Sequence, residues 1–261
     1  EDRAGIPHHL LDIWDVTEPA AVAVYQRLAR GVVDSLLTAG KAAILVGGSG
    51  LYVRAVLDDL DFPGTEPAVR SRLEAELESV GAPAMHARLA ALDPVAAERI
   101  LPGNGRRIVR ALEVIELTGR PFAAVLPEPT YVRPAVQIGL GADRETLDRR
   151  LDARVDAMWD AGLVREVEGL VPRGIREGRT AGKALGYAQV LSFLAGECSE
   201  EEAVAETKRA TRKFARRQMT WFGRDRRVRW LPADHPHLVD AAMAALTAPS
   251  ERGTSRAGNV P

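Results

Sequence analysis

AAILVGGSGLYVRAV, residues 42–56, decides the fold class. Its first five residues are apolar without a break and are bounded by Lys41 and Gly47. A short continuous run of this kind reads as a strand buried on both faces, as in parallel sheets. The glycines then turn the chain, and residues 51–56 open a helix. Upstream, Thr17 is a good N-cap with Pro19 in the first turn behind it. Val22, Val24, Leu28, Val32 and Leu36 then recur at roughly helical spacing until Gly40. Helix, buried strand, glycine turn, helix is the grammar of an α/β protein.

Outward from there the pattern changes at Asp61-Phe62-Pro63-Gly64. Only helical patterns follow, to about Thr118. Thr65 is placed to cap a helix with Pro67 in its first turn and Leu73, Leu77 and Val80 on its apolar face. Asp93-Pro94 starts a second helix. Asn104 caps a third over residues 106–117, with Ile108, Leu112 and Val114 or Ile115 inward and Gly119 as its stop. A proline-rich return over residues 121–134 leads to a strand at residues 136–140. A helix over residues 144–158 carries Leu147, Leu151, Val155 and Met158, and another covers residues 164–170. Residues 182–194 read as helical around Gly186-Tyr187, and Ser199 to Glu202 resembles a capping box at the head of the last long helix. The predicted organisation is a first core segment over residues 1–60, a helical insertion over 61–133, a second core segment over 134–247 and a disordered tail over 248–261.

Composition narrows the function classes. The chain has 261 residues, 46% hydrophobic and 27% charged, within the range of soluble globular proteins. No apolar run approaches the roughly 20 residues that a membrane helix needs. The one cysteine, Cys198, excludes an internal disulfide and a cysteine-ligated metal cluster, and it points to a reducing cytoplasm. The formal net charge of −1 argues against coating nucleic acid or membrane by bulk charge. That total conceals a polarity. Residues 207–230 hold ten Lys and Arg against Asp225 alone, a net +9, so the rest of the chain sums to −10. At about 100° per residue, Arg209, Arg212, Lys213 and Arg216 share one helix face, and Ala210, Phe214 and Trp221 share another. A basic stripe backed by an apolar one suits a helix docked on a core and facing phosphates. The alternative is a solvated arginine-rich face, but too few acids are interspersed for i,i+4 pairing within the helix. A second cluster, Arg106, Arg107 and Arg110, lies in the insertion. Two basic surfaces on two lobes suggest an extended polyanion held between them.

Other motifs carry less. Gly47-Gly48-Ser49-Gly50 lets a ligand approach the backbone at a helix head, or serves as a plain turn. No Gly-x4-Gly-Lys-Ser/Thr phosphate loop occurs in the chain. His8 and His9 are adjacent and point apart, which makes a poor metal site. A glycine inside a helix costs about 1 kcal/mol against alanine, so Gly186 beside Tyr187 and Gln189 marks either close packing or substrate contact.

Taken together, these strings resemble the tRNA dimethylallyltransferases, also called tRNA isopentenylpyrophosphate transferases. The resemblance rests on GIPHHLLDI (5–13), ILVGGSGLYVRA (44–55), FPGTEPAVR (62–70), GRRIVRALEVIELTGRP (105–121), ALGYAQ (184–189) and TRKFARRQMTWFGRD (211–225). It runs in order over nearly the whole chain to about Trp230. It implies a core related to P-loop kinases, a parallel sheet with a helical insertion lobe. It implies transfer of a dimethylallyl group from dimethylallyl diphosphate to N6 of adenine 37, in tRNAs reading codons that begin with U, with Mg2+ assisting diphosphate departure. The expected partner is the anticodon stem-loop, with the target base flipped out of the stack, and the expected state is a cytoplasmic monomer.

By position, the resemblance assigns tRNA contact to Ser49 in the glycine turn, to Arg70 and to Arg106, Arg107 and Arg110. It assigns the same to Lys183, Gly186, Tyr187 and Gln189, and to Arg216, Arg217, Gln218 and Trp221. Arg144, just after the second strand, is a candidate diphosphate contact. The family's phosphate loop and its general-base aspartate precede the GIPHHL string, and neither is in this chain. The first methionine is Met85 and the chain opens Glu1-Asp2-Arg3, so it reads as a member truncated at its N-terminus, with a core incomplete there. Little transferase activity is expected of these 261 residues alone, with weak tRNA binding and no catalytic residue among them. The alternatives are an adenylate isopentenyltransferase, which prenylates a free nucleotide and needs no second basic surface, and a non-catalytic RNA-binding remnant.

Overall fold

A computed structural model describes residues 5–122, 124 and 126–247. In chain order the elements are α1 (Val22–Thr38), α2 (Gly50–Leu57), α3 (Pro67–Leu92), α4 (Pro94–Arg99), α5 (Gly105–Thr118) and β1 (Gln137–Gly141). They continue with α6 (Arg144–Asp160), α7 (Leu163–Leu170), α8 (Tyr187–Leu194), α9 (Glu200–Phe222), β2 (Val228–Pro232) and α10 (Leu238–Thr247). The chain divides into two compact units, Asp58–Val132 and the remainder. The expected tail at residues 248–261 lies outside the described residues.

In the larger unit β1 and β2 pair in parallel, with Gln137 opposite Val228 and Gly141 opposite Pro232. This is the α/β class expected from the sequence. α7 and α8 bury Leu163, Val167, Val190 and Leu191 around Ile175. α9 packs on both α6 and α8. Its head is the expected capping box: the Ser199 hydroxyl accepts from the Glu202 N–H at 3.2 Å, and the Glu202 carboxylate accepts from the Ser199 N–H at 2.8 Å.

The structure departs from several local expectations. Residues 41–49 form no strand, and Ile44 and Val46 are 85% and 87% exposed. A strand sandwiched on both faces needs neighbours to take its N–H and C=O groups, and β1 pairs only with β2 among the described residues. The first helix starts at Val22, not at Thr17. Thr17 is instead held in a turn, its N–H and hydroxyl both donating to Asp15 at 3.2 Å. Gly186 is not inside a helix but caps α8, at φ 90°. The buried face of α9 is Ala203, Thr207 and Ala215, while Phe214 and Trp221 are 36% and 38% exposed. β2 and α10 are additions to the expected elements, formed from the end of the charged segment and the residues that follow it.

The unit Asp58–Val132 is helical. Asp58 forms an antiparallel bridge with Tyr131, which closes the unit at its two ends. α3 breaks at Gly81, where φ is 80°, just ahead of Pro83. Val80 therefore stands at the break and is 51% exposed, while Leu73 is fully buried. Glu66, not Thr65, caps α3. Asn104 caps α5 by accepting from Arg107 N–H at 3.2 Å, and Gly119 ends it as expected. Leu73, Met85, Leu89, Ile100, Ile108 and Leu112 form the core.

Candidate functional site

The glycine turn and the end of α9 meet in the larger unit. The Ser49 carbonyl accepts from Val53 N–H at 2.9 Å, which puts Ser49 at the head of α2 with an exposed side chain. A Cβ at Gly48 would run into the Gln218 side-chain amide, and one at Gly50 into the Trp221 indole. Three candidates from distant strings, Ser49, Gln218 and Trp221, are thus brought to one place. Gly50 is the glycine there that close approach of the Trp221 ring requires.

Beside the turn lies a cleft of about 490 Å³. Leu10, Ile13, Trp14, Tyr25, Tyr52 and Ser49 are among its lining residues, with Asp12, Asp15 and Glu18. The Tyr25 and Tyr52 rings are 5.0 Å apart, tilted by 51°. Burial, then the neighbouring Tyr52, raises the Tyr25 hydroxyl above its usual pKa, so this phenol stays neutral at physiological pH. Leu10 and Asp12 sit at φ 61° and 53°. Non-glycine residues rarely adopt that region, and they tend to do so at functional sites. Both lie in the GIPHHLLDI string, within which nothing in the sequence sets them apart. Among the described residues, no three His, Cys, Asp or Glu side chains converge as a metal-ligand set. These residues therefore do not by themselves fit the Mg2+ ion that the family resemblance implies. His8 instead shares a hydrogen bond with the Ile6 carbonyl at 2.9 Å.

The basic segment is not a bare cationic face. Its missing acids lie on α6, which runs antiparallel to α9. Lys208 meets Asp156 at 2.6 Å, Arg212 meets Asp152 at 2.5 Å, and Arg216 stands 3.6 Å from Asp148. Asp148 also faces Arg144 at 4.0 Å, so Arg144 and Arg216 converge on one carboxylate. Arg209 pairs with Glu206 at 2.6 Å. Arg227 pairs with Asp225 at 2.7 Å, and the Arg229 guanidinium donates to the Ala245 carbonyl. Lys213 and Arg217 are exposed, with no carboxylate partner among the described residues. Arg217 lies over the Phe214 ring, 5.5 Å from its centroid.

The GY-x-Q element is held by local structure. Gly186 takes a positive φ that a side chain would strain, and its N–H donates to the Gln189 side chain at 2.9 Å. Gly186→Ala is expected to cost about 1–3 kcal/mol in urea unfolding; a loss below a few tenths would show that the backbone relaxes freely. The Tyr187 hydroxyl donates to Glu166. Burial, reinforced by the Glu166 carboxylate, pushes its pKa up to about 12. Lys183 is exposed nearby.

In the unit Asp58–Val132 the arginines gather on a residue that no sequence motif marks. Glu113 is fully buried. It accepts from the Arg70 guanidinium, from Arg110 at 2.6 Å, from the Thr65 hydroxyl at 2.6 Å and from Glu66 N–H at 3.3 Å. Burial acts to raise its pKa, but the hydrogen bonds from Arg70, Thr65 and Arg110 prevail and hold it below the usual carboxylate range. Arg110 also donates to the Gly64 carbonyl at 3.0 Å and the Pro63 carbonyl at 2.5 Å. Arg107 donates to the Ala124 carbonyl. Arg106 is exposed, with no partner among the described residues.

A parallel strand pair wrapped by helices, a glycine turn clasped by a basic helix and a separate helical unit define the class, an α/β protein with a largely apolar, aromatic-lined cleft. The IPP transferase family model matches residues 1–226, and the chain belongs to that family. It is 65% identical over 246 residues to the tRNA dimethylallyltransferase of Thermobifida fusca, covering 94% of this chain and 77% of that one. Among solved structures it is similar to the tRNA isopentenylpyrophosphate transferase of Bacillus halodurans. The identity there is 38% and the TM-score 0.62, over 92% of this chain and 77% of that one. A eukaryotic dimethylallyltransferase acting on tRNA shares the fold, at TM-score 0.77 and 24% identity, over 94% of this chain and 65% of that one.

Proposed function

We propose that this chain serves transfer of a dimethylallyl group from dimethylallyl diphosphate to N6 of an adenine in tRNA. The adenine is position 37, beside the anticodon, in tRNAs reading codons that begin with U. The observation that carries the reading is the clasp of Gln218 and Trp221 on the Gly47–Gly50 turn, beside the tyrosine-lined cleft. In the reaction the adenine amine attacks C1 of the dimethylallyl group. The bond from C1 to the diphosphate oxygen breaks, N6 gives up a proton, and diphosphate leaves. The exposed Ser49 hydroxyl and the Gln218 amide offer the hydrogen-bonding groups that would hold a flipped base. The apolar cleft wall excludes water from the prenyl cation character that develops at C1. Arg70 and Arg106 in the helical unit, and Lys183, Arg216 and Arg217 in the larger one, would meet the anticodon stem-loop. Arg144 would meet diphosphate or RNA phosphate. A cytoplasmic monomer completes the proposal. No helix among the described residues is long and apolar enough to cross a membrane.

The chain holds no Gly-x4-Gly-Lys-Ser/Thr string for the leaving diphosphate. These 261 residues alone are therefore expected to bind the anticodon stem-loop and to transfer little. Incubation with labelled dimethylallyl diphosphate and a stem-loop tests this, and sustained turnover would refute it. Preference for free AMP over the stem-loop would instead favour the nucleotide-prenylating relatives. Arg217→Ala is expected to reduce the slope of log K against log salt by about 1, the signature of one lost phosphate contact.

A further inference from the structure

We infer that Asp152 and Asp156 of α6 are specificity determinants, which withdraw the inner cations of α9 from RNA and confine phosphate contact to the last turns of the helix. The inference rests on the tRNA reading above. Its ground is the gradient along the α6–α9 ladder. At the inner rungs, Lys208 and Arg212 are only 24% and 28% exposed, and their carboxylate contacts are 2.6 and 2.5 Å. At the outer rung, Arg216 is 52% exposed, 3.6 Å from a carboxylate that it shares with Arg144. Beside it, Lys213 and Arg217 have no carboxylate at all among the described residues, and Arg217 is displayed over Phe214.

Along the α6–α9 ladder cation availability therefore rises toward the end of α9 that carries Gln218 and Trp221 against the glycine turn, while Arg209 is paired with Glu206 of its own helix. A polyanion gains most where cations are unpaired, because each cation already neutralised releases fewer counterions on binding. A uniformly bare helix would hold RNA in any register along its length. The ladder removes that degeneracy and leaves a short cationic and aromatic strip, Lys213, Phe214, Arg217 and Trp221, leading to the turn. Such a strip fits a single-stranded loop, whose bases can stack on rings and guanidinium planes.

The test compares the full chain with Asp152→Asn plus Asp156→Asn, using an anticodon stem-loop and a 12-nucleotide oligouridylate as probes. Freeing two cations is expected to steepen the oligouridylate salt slope by about 1.4 and to raise its affinity about tenfold at low salt. Stem-loop affinity should rise less, so discrimination falls. Asp160→Asn controls for bulk charge, since Asp160 ends the same helix without a cation partner among the described residues; it should leave the slope unchanged. In a Lys208→Gln, Arg212→Gln background the two asparagines should have no further effect. The inference is overturned if they steepen the slope equally in that background, if Asp160→Asn matches them, or if the oligouridylate slope does not move. If the double variant unfolds, Asp152→Asn alone carries the same expectation at half the slope change. Failure of the tRNA reading would show separately, as wild-type chain that binds both probes equally.

Discussion

Glu113→Ala lowers the stability of the unit Asp58–Val132 by about 3–5 kcal/mol, the range for removing one partner from a buried ionic cluster. The carboxylate is fully buried and is the point on which Arg70, Arg110, Thr65 and the Glu66 N–H converge. Arg70 and Arg110 are themselves only 22% and 26% exposed, so water cannot fully replace what they lose. Arg70 is already short of a partner at its buried Nε. Glu113→Gln keeps the shape and removes the charge, and should cost about 1.5–3 kcal/mol. The two variants also separate in pH. Glu113 has a folded-state pKa below its ordinary value of 4.5. Its contribution is therefore fully present above about pH 4.5 and is lost as pH falls through the lower folded value. Wild-type stability should fall through that acid window, and the glutamine variant should fall less. Urea unfolding between pH 7 and pH 3, with amide exchange of α5 as the local probe, measures both. A loss below 1 kcal/mol for Glu113→Ala would show that the cluster is not a structural centre.

The same cluster shows what the sequence could convey. Arg70 and Arg110 are legible as candidate functional cations because they are charged and lie in motif strings. Glu113 is not, since a glutamate in a helix reads as a solvated residue until the loop above it is known to fold back. The α6–α9 ladder is legible in principle. Asp148, Asp152 and Asp156 recur every four residues, as do Lys208, Arg212 and Arg216. The acids lie outside the basic segment, and the match emerges only once the two helices are known to be antiparallel neighbours. Local signals with complete chemistry survive in the structure: the Ser199 capping box, Asn104 with Gly119, and the strand after Pro134. Signals that depend on partners do not. Residues 42–46 have the composition of a sandwiched strand, but strand formation is a property of a pair. The apolar side chains at Phe214 and Trp221 suggest a docked stripe, yet the buried face follows Ala203, Thr207 and Ala215, where small side chains allow α9 to lie close to its neighbours.

Gly50→Ala is the substitution expected to damage the site most. The methyl group would enter space held by the Trp221 indole, a rigid ring at the head of α2. Overpacking of this kind costs about 1–3 kcal/mol, even though alanine is the better helix former. Displacement of the ring should weaken stem-loop binding at least about tenfold, since small misplacements at a recognition site carry large penalties. Gly48→Ala meets only the far end of Gln218, a flexible side chain that can swing away, so its stability cost should be smaller. Gly47 has nothing within 4 Å of the would-be Cβ, and Gly47→Ala should be close to neutral. The decisive comparison is a double-mutant cycle with Trp221→Ala. Trp221→Ala alone loses affinity because the ring is gone, but it also opens the space that the alanine at position 50 needs. Gly50→Ala added to it should then cost nothing more, giving a coupling of about 1–3 kcal/mol in unfolding free energy. Additive losses would mean that Gly50 is required for its backbone and not for the ring, and the clasp of α9 on the glycine turn would lose its proposed role in positioning the base.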